Sequence, residues 1–222
     1  MSSRQENKQA MEQHLYDAAI NLFCEWGYKK TTLTDIAAEA EVSTRTLYKY
    51  FPTKESILRK FGRENILALK SFASSLPSDL PVRDKVLATM VQDYQLMFGL
   101  FDVSYILHSA RDDQGVLNRF ELENVLAAES IYCTLFKREQ LARGKTPNDM
   151  VALCASVVLG LYRHCTDLYR FRKKGTFNEK ELRAFYASHL DVVWGSLYEA
   201  LLSDAPRQGA LFSVDKHLFG PA

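Results

Sequence analysis

The side chains best suited to polar recognition lie in one short run, Thr44-Arg45-Thr46, followed one helical turn later by Lys49. Arginine can donate two hydrogen bonds to one guanine, and threonine offers a hydroxyl and a methyl group that can contact thymine. Nearby hydroxyl and ammonium groups suit phosphate oxygens; they belong to Thr32, Ser43, Tyr48, Tyr50 and Lys54. The run therefore predicts a helix face that contacts DNA bases, flanked by groups that contact the DNA backbone.

Presenting that run requires a short helix held at a fixed angle. Ser43 is a predicted N-cap and Pro52 cannot continue a helix, so the third helix is confined between them. Thr34 is predicted to cap a second short helix that ends at Glu41, and Thr53 to cap a fourth helix. Two short helices joined by a tight turn form a helix-turn-helix, whose second helix lies in the major groove of DNA.

Positive charge is concentrated on the same segment rather than spread over the chain. The 222 residues have a formal net charge of +1, so composition predicts no bulk attraction to nucleic acid. Residues 29–60 contain seven basic and four acidic side chains, a balance of +3, whereas residues 1–28 have a balance of −2. Any contact with DNA is therefore expected to be local.

Helical periodicity continues through the rest of the chain, with no segment that alternates as a half-buried strand does. Apolar residues recur at helical spacing, which predicts helices at about 8–26, 82–97, 119–143, 147–174 and 178–202. Gly27, Gly144 and Gly175 are predicted helix stops, Thr146 is a predicted N-cap, and Asn178 with Glu181 is a predicted capping box. The predicted fold is all-α, with about nine helices.

Catalytic and metal sites find no support in the residue pattern. The sequence has no nucleophile elbow, phosphate-binding loop or dinucleotide fingerprint, and no histidine–carboxylate spacing that indicates a metal. The four cysteines, Cys24, Cys133, Cys154 and Cys165, include no C-x-x-C pair and are predicted to be small buried residues. The N-terminus is polar and no 18 consecutive residues are apolar. We therefore expect a cytoplasmic protein with no enzyme activity and no cofactor.

The stretch GYKKTTLTDIAAEAEVSTRTLYKYFPTKESIL, residues 27–58, resembles the DNA-binding signature of the TetR family of bacterial transcriptional regulators. Its Gly-Tyr, Thr-Thr, Asp-Ile-Ala, Val-Ser, Thr-Leu-Tyr, Tyr-Phe and Lys-Glu elements occur in order and at the family's spacing. The family usually has glycine at the turn, where this sequence has Glu41. Glu41 is therefore predicted to adopt a positive φ.

The resemblance implies a helix-turn-helix domain at residues 1–53, a connecting helix at 54–74, an effector-binding and dimerisation domain at 75–203 and a tail at 204–222. It also implies a homodimer, associated with the bacterial nucleoid, that binds an inverted-repeat operator in double-stranded DNA. Repression relieved by a small-molecule effector is the expected mode. The alternative is a ligand-independent DNA-binding protein that organises the chromosome.

Candidates for the effector and dimer surfaces lie on the later helices. Side chains that interrupt apolar helix faces would suit an apolar or aromatic molecule, although each is also an ordinary core residue type. They are Tyr94, Met97, Phe101, Tyr105, His108, Tyr132, Phe136, Tyr162 and His164. The apolar stripes of the last two helices predict a two-fold interface of four helices. Its candidates are Val157, Leu161, Leu168, Leu190, Val193, Trp194 and Leu197.

Overall fold

A computed structural model of the chain describes residues 3–97, 116–173 and 177–203. Within 116–173, side chains are described from residue 123 onward. These residues form eight helices and contain no strand. The helices are α1 (Ser3–Trp26), α2 (Leu33–Glu39), α3 (Thr44–Tyr50), α4 (Lys54–Ser75), α5 (Val82–Met97), α6 (Val116–Ala142), α7 (Met150–Lys173) and α8 (Glu179–Leu202). The predicted all-α class is confirmed.

The first core lies between α1, α2, α3 and the start of α4. Its centre is formed by side chains that are completely enclosed, including Leu15, Ile36, Leu47 and Ile57. Because α4 contributes to this core, the core extends past residue 53, where the sequence placed the end of the domain. Trp26, expected on the inner face of α1, is instead 46% exposed.

Side-chain caps define the short helices. Ser43 accepts a hydrogen bond from the Thr46 N–H, and Thr53 accepts one from the Ser56 N–H, as predicted for the starts of α3 and α4. The start of α2 was predicted wrongly, because Thr32 rather than Thr34 is its N-cap. Thr32 caps α2 because Asp35 completes a reciprocal capping box with it.

The second core lies among α5, α6, α7 and α8, and α4 connects it with the first. Leu69 and Ala73 near the end of α4 pack against Ile131 of α6, whereas Ile57 and Leu58 at its start belong to the first core. A single helix of 22 residues therefore spans the distance between the two cores.

The segment between α6 and α7 differs from the prediction. Gly144 has a φ of +72° just after the end of α6, as expected of a helix stop. Thr146 and Pro147, however, do not begin α7, which starts at Met150. The reason is that Asn148 takes the capping position: its side-chain oxygen accepts the Met150 N–H at 3.1 Å.

The start of α8 was predicted correctly in part. Asn178 is the N-cap and accepts the Glu181 N–H at 3.1 Å. The Glu181 carboxylate forms an ion pair with Lys173 at 2.5 Å, linking the start of α8 to the end of α7. Gly175 lies outside the described residues.

Among the described helices, α7 is long and apolar enough to cross a membrane by length and composition alone. One of its faces packs into the second core through Val151, Cys154, Val158 and Cys165. Core burial therefore accounts for part of its apolar character. Of the other two cysteines, which were also expected to be buried, Cys24 is exposed and Cys133 is half-buried.

Candidate DNA-binding surface and buried polar site

The turn between α2 and α3 is a left-handed helix ending centred on Glu41. The Glu41 N–H donates to the Ala38 carbonyl at 3.0 Å, and the Val42 N–H donates to the Ala37 carbonyl at 2.9 Å. These are the two hydrogen bonds of a Schellman motif, in which the residue after the C-cap is usually glycine. Glu41 has a φ of +52°, which confirms the conformation predicted from the missing glycine. The turn fixes the direction in which α3 leaves α2.

The outer face of α3 carries the side chains that were predicted to contact bases. Leu47 is completely buried and anchors the inner face, while Arg45, Tyr48 and Lys49 are exposed. Thr44, Thr46 and Tyr50 are half-buried. Arg45 thus extends from the N-terminal turn of the helix, the part of a recognition helix that meets base edges.

The two capping hydroxyls on this surface already have partners. The Thr32 hydroxyl donates to the Asp35 carboxylate at 2.7 Å, and this bond, with one from the Thr32 N–H, lowers the pKa of Asp35. The Ser43 and Thr46 hydroxyl oxygens lie 2.8 Å apart. Both Thr32 and Ser43 remain exposed, so a phosphate could be bound in addition to, and not instead of, the caps.

Lys54, predicted to contact phosphate, is directed toward the protein instead. Its Nζ donates to the carbonyls of Tyr28 and Thr31, both at 2.8 Å, and lies 4.4 Å from the centre of the Tyr28 ring. The Tyr28 hydroxyl in turn donates to Glu55 at 2.9 Å. Partial burial lowers the pKa of Lys54. We therefore assign Lys54 a structural role, which is to tie the start of α4 to the loop between α1 and α2.

Two supporting residues were not identified from the sequence. Thr31 is completely buried, and its hydroxyl donates to the Gly27 carbonyl at 3.0 Å. His14 of α1 places Nε2 3.1 Å from the Ala40 carbonyl at the end of α2. Thr31 could have been identified from the adjacent pair Thr31-Thr32, since only one of the two can cap α2. No sequence pattern indicated the second.

A polar cluster lies inside the second core, with one residue from each of its four helices. Asp93 of α5 accepts a hydrogen bond from the Tyr162 hydroxyl of α7, and both interact electrostatically with Tyr132 of α6 and Tyr186 of α8. We call these four residues the Asp93 cluster. Burial raises the pKa of Asp93 to about 6.

The hydroxyl groups of the Asp93 cluster differ in their partners. The Tyr186 and Thr166 hydroxyl oxygens lie 2.7 Å apart. The Tyr132 hydroxyl is buried and has no hydrogen-bond partner within the described part of the chain. Burial raises the pKa of all three tyrosines, so each is neutral near pH 7. The cluster is thus one carboxyl group among neutral phenols.

Four of the predicted effector contacts lie in or beside this cluster. Tyr132 and Tyr162 belong to it, and the Tyr94 ring packs edge-on against Tyr186, with centroids 6.3 Å apart. Phe136 is completely buried, with its ring 6.4 Å from that of Trp194. Each of these residues is also part of the second core.

The remaining effector candidates lie elsewhere. The Met97 sulfur accepts a hydrogen bond from Asn65 of α4 at 3.1 Å, and its side chain packs against the first core. His164 is exposed on α7, because it follows the outer face of that helix. Phe101, Tyr105 and His108 lie outside the described residues.

Asp93 itself was missed in the sequence. Its position gave a usable signal, because it follows the buried residues Val86 and Met90 by seven and three positions. That spacing places a carboxyl group on the inner face of α5. The residues predicted to contact the effector are aromatic, histidine and methionine side chains, so this carboxyl group is not among them.

The predicted dimer residues divide between the core and the surface. Leu190 and Leu197 are buried within the chain's own core, so they are not available to a partner. Leu161, Leu168, Val193 and Trp194 are half-buried, and Val157 is 39% exposed. Five exposed apolar or small residues at helical spacing on these two helices define what we call the outer α7–α8 face: Leu153, Val157, Gly160, Val192 and Gly195.

Comparison with known proteins identifies a protein family that matches the helix-turn-helix region. A family described as "Bacterial regulatory proteins, tetR family" matches residues 15–61, from α1 to the first turns of α4. A Mycobacterium tuberculosis protein named as a mycofactocin biosynthesis transcriptional regulator, MftR, is 27% identical over 155 residues, covering 67% of this chain and 74% of that protein.

Solved structures of similar fold cover most of the chain. A Mesorhizobium loti protein described as a TetR-family transcriptional regulator has a TM-score of 0.69 at 18% identity, covering 85% of this chain and 96% of that one. The Bacillus subtilis transcriptional regulator FadR, solved with stearoyl-CoA, has a TM-score of 0.61 at 19% identity, covering 82% and 96%. With the helix-turn-helix match and the MftR relative, these similarities show that residues 15–61 form a DNA-binding region of the TetR family of bacterial regulatory proteins and that the chain shares the all-α fold of TetR-family regulators.

Proposed function

We propose that this protein is a homodimeric regulator that binds a specific inverted repeat in double-stranded DNA and represses transcription until a small molecule releases it. The observation that carries the proposal is the N-terminal end of α3, where the exposed Arg45 lies between two threonines. The buried Leu47 and the turn at Glu41 hold that end at a fixed angle. The proposed setting is the bacterial cytoplasm, and the proposed role is regulatory rather than enzymatic.

Dimerisation is required by the small size of the recognition surface. One helix contacts a few base pairs, and two half-sites a helical turn apart are needed for selectivity. The outer α7–α8 face supports a two-fold contact, because Val192 is 84% exposed. A Cβ at Gly160 or Gly195 would have no atom within 4 Å in the described part of the chain outside the backbone of its own helix. Glycine inside a helix costs stability, and a close approach of another helix would explain its presence there.

Release by a small molecule is supported by the way α5 links the two cores. Tyr94 lies in the second core, and Asp93 interacts with Tyr162 of that core, whereas Met97, one turn after Asp93, contacts Asn65 of α4 and the first core. The start of α4 is tied through Lys54 to the loop before α2. A ligand that favours a different position of α5 would therefore move α4 and the helix-turn-helix. The shift is limited by the ligand's difference in affinity for the two arrangements.

Repression follows from steric overlap if the operator lies within a promoter, since a bound dimer would occupy DNA that RNA polymerase requires. The FadR structure shows a protein of this fold with a bound acyl-CoA, which supports a ligand site in the helical domain of this chain. It does not identify the ligand.

The decisive experiment is selection of bound DNA from a random duplex pool by the purified full-length protein, at near-physiological salt because phosphate contacts are salt-dependent. We expect enrichment of an inverted repeat with half-sites about one helical turn, or a multiple, apart. No enrichment by folded, dimeric protein would contradict the proposal. Enrichment of many unrelated sites, with no response to any small molecule, would favour the chromosome-organising alternative.

A further inference from the structure

The carboxyl group of Asp93 has no ionic partner among the described residues. It accepts one hydrogen bond, from Tyr162, and no basic side chain is among the groups that act on it. Arg170 acts on the neighbouring Tyr94 and not on Asp93. Buried carboxylates in proteins are normally paired with a cation or several donors, because an unpaired buried charge is costly. Asp93 is half-buried, and among the described residues its carboxyl group has one neutral donor, Tyr162, and no counter-charge.

The surroundings of Asp93 are those that favour an organic cation. Aromatic rings attract positive charge to their faces. The ring centroids of Tyr162 and Tyr186 lie 5.8 Å apart, and both side chains interact with the Asp93 carboxyl group. The buried Tyr132 hydroxyl has an unused oxygen acceptor, since it has no partner in the described residues. A buried hydroxyl without a hydrogen bond costs free energy that a ligand can recover.

We propose that the effector is a small organic amine, bound as its ammonium ion, whose nitrogen pairs with Asp93 and donates a hydrogen bond to Tyr132. Its apolar or aromatic body lies against the rings of the second core. This inference rests on the proposed function, because it names the chemical class of the molecule that releases DNA. An anionic ligand placed at this site would bring like charge to Asp93.

The pH dependence of binding follows from the same groups. The side chains facing Asp93 are Tyr132 of α6, Tyr162 of α7 and Tyr186 of α8, and the raised pKa of each keeps it neutral between pH 5 and pH 8. An alkylamine stays protonated to about pH 10. Asp93, whose pKa is about 6, is then the group that titrates. Amine affinity is expected to fall about tenfold between pH 8 and pH 5, because the ligand requires the ionised carboxylate.

The test uses isothermal titration calorimetry of the full-length protein with two sets of probes matched in shape. One set is tryptamine, tryptophol and indole-3-acetate; the other is phenethylamine, 2-phenylethanol and phenylacetate. We expect at least one amine to bind tenfold or more tightly than the alcohol of its set, and the carboxylates to bind no better than the alcohols. Equal binding of amine and alcohol, preference for a carboxylate, or no binding of any probe would overturn the proposal.

Three variants assign the effect to the site. Asp93→Asn should abolish the preference for amine over alcohol, and Tyr132→Phe should weaken amine binding severalfold. Asp79→Asn, which removes an exposed carboxylate in the loop before α5, should leave it unchanged. An undiminished amine preference in Asp93→Asn would place the charge recognition elsewhere and refute the proposal.

The operator obtained by DNA selection separates this inference from the proposed function. If the protein binds its operator and is released by other molecules but not by amines, the inference fails while the proposed function stands. If amines bind at Asp93 with the expected charge preference but leave the operator complex intact, the amine site stands and regulation through it fails.

Discussion

At the scale of single residues, the conformation of Glu41 is the plainest departure from a strain-free helix-turn-helix. Its φ of +52° is one that glycine adopts without steric cost. Because the side chain is exposed, replacing it removes no buried contact. We expect Glu41→Gly to raise the free energy of unfolding by about 0.5–1 kcal/mol, the relief of strain being partly offset by the flexibility of glycine in the unfolded chain. Urea denaturation measures the change.

A matched control lies three residues earlier. Ala38 is also exposed but has an ordinary helical position in α2. Ala38→Gly should lower the free energy of unfolding by about 0.5–1 kcal/mol, because glycine is a poor helix former. If both glycine variants were destabilised alike, the left-handed turn would not be a source of strain.

Arg45 is the residue on which sequence selectivity is expected to depend. Arg45→Ala should reduce affinity for the selected operator by about 1–3 kcal/mol and relax the preference at one base pair of each half-site. Binding to random DNA should change much less. Competition binding against operators substituted at each position measures both effects. A uniform loss on specific and random DNA would instead identify Arg45 as a phosphate contact.

Asp93 is expected to make stability depend on pH in a direction unusual for a carboxyl group. Burial raises its pKa from 3.8 to about 6, so the folded protein favours the protonated form. The contribution of this group is therefore most favourable below pH 4, is lost as pH rises, and reaches its full penalty above pH 6. Asp93→Asn should be more stable than the wild type at pH 8, by on the order of 1–3 kcal/mol.

That difference should shrink as the pH is lowered from 8 to 5, because the wild-type carboxyl group becomes protonated. Urea denaturation of the two proteins across this range, with Asp79→Asn as the exposed control, measures it. A stability difference that is independent of pH would show that Asp93 is not a desolvated carboxyl group.

At the scale of secondary-structure elements, Lys54 joins α4 to the loop before α2. Lys54→Met keeps most of the side-chain volume but removes two hydrogen bonds to carbonyl groups. We expect it to lower the free energy of unfolding by about 1–3 kcal/mol, since these bonds involve a charged donor. The salt dependence of DNA binding should be unchanged in this variant.

Lys49→Met is the corresponding control, because Lys49 is exposed on α3. Its stability should stay within about 0.5 kcal/mol of the wild type. Its DNA affinity should show a salt dependence weaker by about one phosphate contact. A stable Lys54→Met variant with a weakened salt dependence would restore the phosphate contact that the sequence suggested.

The elements were predictable where a local interaction decides them. Ser43, Thr53 and Asn178 cap helices as predicted, since capping depends on residues within one turn. Glu41 adopts its positive φ for an equally local reason. Thr32 and Asn148 were not predicted as caps, because neighbouring residues are equally suitable by type. Thr32 caps α2 because it forms a reciprocal bond with Asp35. The position of Asn148 depends on Gln140 of α6, whose side chain accepts the Asn148 N–H at 3.3 Å.

The two candidate sites also differed in how far the sequence could predict them. The DNA-facing side chains lie in one continuous stretch, so their spacing alone indicated a common face. The Asp93 cluster takes one residue from each of four helices separated by up to 93 positions, and its assembly depends on how those helices pack. The contacts of Lys54 could not be predicted in the same way, because the carbonyl groups that bind it belong to Tyr28 and Thr31, in another segment of the chain.

At the scale of the whole molecule, the outer α7–α8 face is expected to join two copies of the chain. Val192 lies on this face and is 84% exposed, a position in which an isolated valine gains nothing from burial. Val192→Glu would place a charge in an apolar interface, where it would lack a partner and destabilise the dimer. We expect this variant to sediment as a folded monomer in analytical ultracentrifugation and to lose its preference for the full inverted repeat over a half-site.

The control is Leu67→Glu, since Leu67 is 65% exposed on α4 and lies away from that face. It should remain dimeric and retain its preference for the full operator, because its new charge stays in solvent. A Val192→Glu protein that remained dimeric would place the two-fold contact on another surface. Loss of dimerisation in both variants would indicate a general effect of added negative charge. A selective loss in Val192→Glu is the result that a two-fold contact through α7 and α8 requires, because only this substitution would bury its charge.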